Sequence, residues 1–309
     1  MDRRKFIKNV ALSSALLAGG GFESMSCTGG GRAKPENVRW SMGWILWRDF
    51  SGGSIPLAEA IRNISELGLD GIEFTPRKDE LAKHGFTKES FRDLLAEKKL
   101  SVSGNYFSGR FYDPSKREEI LTAFGNMLEN LQFYGAKQII IGPPGRVGDD
   151  MSEMIRGTAP MLNELGKIAK DAGMQLGLHP HVNTIVEAPE EIDLIMELTD
   201  PRFVAMVPDT GHIRLGGGNV VETVRKYRDR LSYFHLKDSA GKFNRPDFGA
   251  NLRELGRGEV DFPGIMEILK QVGYTGWLNV EQDHTFMTPL ESATESMKYI
   301  NSTLKPLYT

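Results

Sequence analysis

The sequence predicts a single-domain α/β fold, a (β/α)8 TIM barrel, and three observations predict it. Eight short apolar runs follow one another from Trp40 onward, each succeeded by an amphipathic stretch long enough for a helix. That alternation is the signature of an all-parallel, closed sheet wrapped by helices. The chain has 309 residues, and such a barrel takes ~250, which leaves room for an N-terminal extension but not for a second domain. Finally, helical stretches end at glycine just before the next strand, as in Glu66-Leu67-Gly68, Tyr134-Gly135 and Ala172-Gly173. A glycine is expected there because the chain must turn left-handed.

Taken in order, the first strand is expected over Ser41–Trp47 and its helix over Pro56–Leu67. Strand Gly71–Thr75 precedes helix Lys88–Lys98, and strand Ser101–Tyr106 precedes helix Ser115–Tyr134. The series continues with strand Gln138–Ile141 and helix Met151–Ala172, then strand Gln175–His179 and helix Pro189–Leu198. The last three pairs are Val204–Val207 with Asn219–Arg228, Leu231–Leu236 with Phe262–Val272, and Trp277–Glu281 with Pro289–Thr303. An open doubly wound sheet is the rival. It would carry a phosphate-binding glycine turn after the first strand, and Ile45-Leu46-Trp47-Arg48-Asp49 offers none.

Composition narrows the function. At 40% hydrophobic residues the chain can fill a large core, and 38 basic against 41 acidic residues give a net charge of −3. That balance lacks the basic excess of a nucleic-acid footprint. The single cysteine, Cys27, lies near the N-terminus, so disulfides, thiolate metal sites and cysteine nucleophiles are excluded from the body. Residues 1–35 read as an export signal and linker, set apart from the barrel at 36–309. Asp2-Arg3-Arg4-Lys5-Phe6-Ile7-Lys8 resembles a twin-arginine signal, followed by an apolar run from Val10 to Ala18. That run is too short to span a bilayer, which needs about 20 residues. Ser24-Met25-Ser26-Cys27 lacks the leucine expected three places before a lipidated cysteine. The expectation is an exported, periplasmic or envelope-associated protein, touching the membrane only if Cys27 carries lipid; a homo-oligomer stays open.

In such barrels the functional groups sit at the C-terminal strand ends and on the loops that follow. Of six histidines, four fall at three consecutive strand ends: Leu178-His179-Pro180-His181, Val207-Pro208-Asp209-Thr210-Gly211-His212, and Phe234-His235-Leu236-Lys237-Asp238. The eighth strand ends Val280-Glu281-Gln282-Asp283. A lone His or Asp after a strand is more often a loop cap than a ligand. Four neighbouring strand ends, however, converge on one point of the rim, which selects His179, Asp209, His235 and Glu281 as a divalent-metal set. Two imidazoles and two carboxylates are of intermediate hardness and suit Mn²⁺, Co²⁺, Fe²⁺ or Zn²⁺. Folding in the cytoplasm before export favours Mn²⁺, which binds weakly in the divalent series and would lose to Zn²⁺ or Cu²⁺ outside.

The stretches Pro208 to His212, His235-Leu236-Lys237-Asp238 and Val280 to Asp283 resemble the late-strand motifs of the xylose-isomerase-like barrel superfamily, also called the sugar phosphate isomerase/epimerase family. The likeness runs from about Trp40 to the C-terminus. Within the superfamily, the inosose (2-keto-myo-inositol) dehydratases are the most similar. That likeness rests on Leu178-His179-Pro180-His181-Val182-Asn183-Thr184, Asp209-Thr210-Gly211-His212, His235 to Ser239, and Leu255-Gly256-Arg257-Gly258-Glu259-Val260-Asp261-Phe262. The resemblance implies a metal-dependent enzyme acting on a small carbohydrate.

One departure bears on mechanism. Ketose epimerases of this superfamily carry a Glu at the end of the fifth strand, as ligand and acid/base, and here His179 takes its place. Without that carboxylate the symmetric two-base exchange of an epimerase is lost. Elimination next to a ketone needs only one base, one acid and a Lewis acid on the carbonyl. The expected activity is a lyase or dehydratase acting on a keto-sugar, keto-glycoside or keto-inositol. An isomerase/epimerase of the same fold and a non-catalytic envelope sugar-binding barrel are the alternatives. A phosphodiesterase would need more metal ligands and a basic surface, which the charge balance argues against.

Around the four ligands, Glu281 is expected to double as the base. His181 and His212, two or three residues past a ligand, would move a proton, hold a hydroxyl, or simply bond a loop carbonyl. Lys237 should face the same way as His235 by strand alternation. It would then donate to an oxyanion or act as acid, the alternative being an ion pair with Asp238 or Glu281. Glu73 lies inside an apolar strand, where an unpaired carboxylate is costly, so it either faces the rim or pairs with a basic residue. Trp44 and Trp47 bracket the first strand end as platforms for a sugar face, or as core. Arg110, after the third strand, is a further substrate candidate unless it lies on the surface. Gly216-Gly217-Gly218 reads as a flexible loop rather than a phosphate cradle.

Overall fold

The computed structural model describes residues 38–308 apart from 49–54, 77 and 149. The expected export signal and linker, and Cys27, therefore lie outside the described residues. Eight parallel strands form one sheet: β1 Arg39–Gly43, β2 Gly71–Glu73, β3 Ser101–Ser108, β4 Gln138–Gly142, β5 Gln175–Leu178, β6 Val204–Met206, β7 Tyr233–Leu236 and β8 Trp277–Val280. Successive strands pair from β1 to β6, β7 pairs with β8, and β1 pairs with both β2 and β8. The remaining seam, β6 against β7, is bridged at Met206↔Leu231 and Asp209↔His235, so the ring closes. The second bridge sets two of the expected metal ligands side by side.

The strands are short and buried on both faces, as a parallel sheet under helices requires. β4 is Gln-Ile-Ile-Ile-Gly, buried throughout. Polar side chains inside the ring pair across it: Tyr233 Oη lies 2.7 Å from Ser103 Oγ, and Ser41 Oγ donates to Asn279 Oδ1 at 2.9 Å. Glycine is required where strands crowd. A Cβ at Gly71 would meet the Trp277 ring at 2.8 Å.

The outer layer consists of α1 Leu57–Glu66, α2 Lys88–Glu97, α3 Arg117–Tyr134, α4 Ser152–Asp171, α5 Pro189–Leu198, α6 Val220–Lys226, α7 Phe262–Gln271 and α8 Pro289–Tyr299. α1 buries Leu57, Ala60, Ile61 and Ile64, the i, i+3, i+4, i+7 stripe of a helix on a core. α3 ends at Gly135 with φ +70°, the left-handed cap expected of that glycine. Among the described residues no helix is long and apolar enough to cross a membrane.

The structure corrects several boundaries. The first strand stops at Gly43, and Ile45–Arg48 forms a helical turn, not the continuation to Trp47 that the apolar run predicts. A short apolar run has the same composition in either state, so periodicity does not separate them. Thr210–Leu215 is a further helical turn, its first amides capped by Asp209, whose Oδ1 accepts from His212 N at 2.8 Å. Between β7 and α7 the chain makes a small antiparallel ladder, Asp238–Ser239 against Leu252–Arg253, with a 3-10 segment Arg245–Asn251 between the two strands.

Candidate metal and substrate site

The site forms where β5 to β8 end. His179 follows β5, Asp209 follows β6, His235 lies on β7 and Glu281 follows β8. Sequence distances of 26 to 46 residues collapse because every parallel strand ends on the same rim. His235 is the pivot. Its Nε2 lies 2.6 Å from Glu73 Oε2, while its Nδ1 contacts Glu281 Oε2 and lies 3.8 Å from Asp209 Oδ2. His179 packs against His235 with ring centroids 4.5 Å apart.

Four buried atoms here make no hydrogen bond: His179 Nδ1 has no polar partner, while Asp209 Oδ2, His235 Nδ1 and Glu281 Oε2 are held only by ion-pair contacts with one another and with Lys237. A buried polar atom without a partner costs about 1–3 kcal/mol, and His179 Nδ1 is such an atom, beside a cluster of carboxylate oxygens and an imidazole nitrogen that a cation could share. His179, Asp209 and His235 offer ligand atoms within 4.8 Å of one another. Two imidazole nitrogens and two carboxylate oxygens fit a borderline divalent ion. The electrostatics fit as well. Burial holds His179 well below its ordinary pKa, keeping a lone pair available. Burial pushes His235 down too, but Glu281 and Glu73 outweigh it and hold the ring protonated when no cation is there. Burial raises Glu281, and the neighbouring His235 and Lys237 more than offset it.

Beside this set, Lys237 is fully buried. Its Nζ lies 3.0 Å from Asp209 Oδ2, 2.7 Å from Asp283 Oδ2 and 2.9 Å from His212 Nε2, with Glu281 Oε1 at 3.9 Å. Burial pushes the ammonium down, yet Asp209, Asp283 and Glu281 together hold it above its ordinary value. Of the two ion-pair partners expected of it, Glu281 lies within range and Asp238 does not, while Asp209 and Asp283 are nearer than either.

A cavity of about 240 Å³ opens on the rim, lined in part by Trp44, Arg48, Tyr106, His179, His181, Glu281 and Asp283. Of the expected substrate-binding residues, Glu73 and Trp44 line it. Two do not. Trp47 is wholly buried in the hydrophobic core, because the chain turns helical after Trp44. Arg110 is 57% exposed and pairs with Asp113, because β3 runs on to Ser108 and carries it past the rim. Lys237 and His212, with catalytic contact expected of them, lie behind the cavity wall, whereas His181 is on it. His181 Nδ1 lies 2.6 Å from the Val182 carbonyl, which can only accept. That bond puts a proton on Nδ1 and leaves Nε2 to exchange one.

Sequence reasoning gave no role to Asp283, Tyr106 or Arg48. Tyr106 was findable, since it ends near the C-terminal side of β3, where every strand meets the rim. It packs edge-on against His179 with centroids 5.6 Å apart. Arg48 Nη1 donates to the Thr75 carbonyl at 3.1 Å and brings the guanidinium that Arg110 does not. Phe248, from the segment between the two ladder strands, packs near His181 and His212 at 6.0 and 5.7 Å.

The comparisons with known proteins agree with this architecture. A family model for xylose isomerase-like TIM barrels matches residues 61–303. An inosose dehydratase of Clostridium perfringens (strain 13 / Type A) is 31% identical over 292 residues, covering 86% of this chain and 97% of that protein. One from Bacillus velezensis is 28% identical over 305 residues, covering 87% and 97%. Among solved structures, IolI with a bound zinc atom superposes with a TM-score of 0.73 at 18% identity, over 88% of this chain and 100% of that one. A D-allulose 3-epimerase from Methylomonas sp. gives 0.66 at 19%, over 88% and 99%. The chain belongs to the xylose isomerase-like TIM barrel family and is an enzyme of that fold.

Proposed function

We propose that this protein is a divalent-metal-dependent lyase that removes water or an aglycone from a keto-sugar, keto-glycoside or keto-inositol. The observation that carries the reading is the convergence of buried donor atoms: His179, Asp209 and His235 offer theirs within 4.8 Å of one another, Glu281 contacts His235, and His179 and Glu281 line a cavity. The inosose dehydratase relatives support elimination, and so does an imidazole, His179, where the epimerase reading wants a carboxylate. An ion held by those four residues would polarise the ketone and offset the negative charge that develops on its oxygen. Glu281 takes the proton from the neighbouring carbon as that C–H bond breaks. The C–O bond at the next carbon breaks in turn, and His181, as the imidazolium, gives its Nε2 proton to the leaving oxygen and stays neutral with its Nδ1–H on the Val182 carbonyl. The products are an enone and water, or an enone and the free aglycone. Trp44 and Tyr106 give the sugar face an apolar and aromatic wall.

The twin-arginine-like leader supports export after folding, with Mn²⁺ loaded in the cytoplasm, as part of the same proposal. The test is an elimination assay on chelator-stripped protein reloaded with Mn²⁺, Co²⁺ or Zn²⁺, offered 2-keto-myo-inositol and 3-keto-glucosides. Metal-restored enone formation is expected. Glu281→Gln should lower turnover by ~10²-fold or more, the usual worth of a positioned base, and His179→Ala should abolish metal rescue. Solvent deuterium entering next to the ketone with no enone would overturn elimination in favour of epimerisation.

A further inference from the structure

We propose that the Lys237 ammonium is a built-in cation standing where a second divalent ion would otherwise bind, and that it confines this site to a single metal. The inference rests on the metal reading above. It starts from the Asp209-Thr210-Gly211-His212 segment, each residue of which serves Lys237. Asp209 Oδ2 forms an ion pair with Nζ at 3.0 Å, and His212 Nε2 accepts from Nζ at 2.9 Å. Thr210 Oγ1 accepts from the Lys237 backbone amide at 2.9 Å and donates to its carbonyl at 2.7 Å. Gly211 leaves space for the stem: a Cβ there would lie 2.8 Å from Lys237 Cγ. Asp283 Oδ2, at 2.7 Å, completes the cage.

Two carboxylate oxygens and an imidazole nitrogen are a donor set that holds divalent ions as readily as an ammonium. The surroundings strengthen the point. His179, His181 and His212 offer ligand atoms within 4.8 Å of one another, beside the primary set. His181 stacks on His212 with centroids 3.6 Å apart. A region this rich in ligands invites a metal cluster. A fixed ammonium at its centre satisfies the carboxylates and repels a second dication, because like charges in a buried site are poorly screened. It also gives Asp209 a lasting cationic partner in both metal-free and loaded protein.

The experiment measures metal stoichiometry on the full chain, after loading with Mn²⁺ and removal of excess, by elemental analysis. Wild type is expected to hold one equivalent. Lys237→Ala empties the cage while keeping its three donors, and should hold two. Adding His212→Ala to that variant should return the count to one. Wild type holding two equivalents, or a folded Lys237→Ala protein holding one or none, would overturn the proposal. If Lys237→Ala does not fold, the spin-resonance spectrum of Mn²⁺-loaded wild type decides. Isolated ions support the proposal and an exchange-coupled pair overturns it. A wild type that binds no metal overturns the metal reading itself, and this inference with it.

Discussion

Glu73 carries one charge into the most crowded part of the barrel, and His235 absorbs it. Strand β2 ends on that residue, and its Oε2 lies 2.6 Å from His235 Nε2. This contact decides which imidazole nitrogen is left for a cation, namely Nδ1, the atom beside Asp209 and Glu281. A carboxylate that orients a metal-bound histidine is typically worth 10–100-fold in metal affinity. Glu73→Gln should therefore weaken Mn²⁺ binding by roughly tenfold or more, and should also lower the stability of the metal-free fold, because it removes one charge of a buried pair. Calorimetric titration of the stripped protein measures this. An unchanged affinity with a raised KM would instead make Glu73 a substrate-binding residue. From sequence, Glu73 was legible as a carboxylate that needed company. Its partner, 162 positions away, was not, because no periodicity links β2 to β7.

At the level of elements, one carboxylate, that of Asp238, gathers four backbone amides of the connection between β7 and α7. Asp238 accepts backbone N–H bonds from Ser239, Gly256, Gly258 and Val260 at 2.8, 3.0, 2.8 and 3.2 Å. The Leu255-to-Phe262 stretch, read from sequence as a family-like motif, thus has a physical role as the amide cradle around Asp238. Gly258 is obligatory, since a Cβ would sit 2.2 Å from Asp238 Oδ1. Asp238→Ala leaves several buried amides unpartnered at about 1–3 kcal/mol each, and should cost about 3 kcal/mol after the loop relaxes. Denaturant unfolding tests it, and a loss below ~1 kcal/mol would show that water replaces the carboxylate. The same connection shows where element reading falls short. Its ladder and 3-10 segment have neither strand nor helix periodicity, being shaped by side-chain-to-backbone bonds. Along the rest of the chain the eight strand–helix units follow the predicted order, with ends shifted by a few residues.

For the whole molecule, the ring closes between β6 and β7 through two isolated bridges, one of them joining Asp209 to His235. A metal held by residues from β5 to β8 would clamp that seam. The apolar core does not depend on it, so stripped protein should stay folded and unfold at a lower temperature. Metal at 1,000 times its Kd adds about 4 kcal/mol. The pH dependence follows from His235, whose folded, metal-free pKa is raised above its ordinary value because the pull of Glu281 and Glu73 exceeds the burial penalty. Such a group stabilises the metal-free fold below its unfolded pKa, and that contribution is lost as pH rises through the folded pKa. Metal must also displace this proton, so metal affinity rises over the same range. The gap in melting temperature between loaded and stripped protein should widen from pH 6 to pH 8. A gap that is constant with pH would exclude His235 as a ligand.

The sequence by itself determined the barrel and the half of its rim where chemistry belongs. Strand–helix alternation is local, and the closed parallel sheet is the arrangement that buries eight such units. Their C-terminal ends then share one rim, so the ligand candidates His179, Asp209, His235 and Glu281 could be named from position alone. Tertiary structure decided what each side chain does there. It sent Trp47 to the core and Arg110 to the surface, gave Glu73 to His235, and enclosed Lys237 between Asp209, Asp283 and His212. These outcomes depend on distances between atoms far apart in the chain, and on which buried charge finds which partner. Hydrophobic periodicity carries no record of such pairings, because it reports only which face of an element is dry.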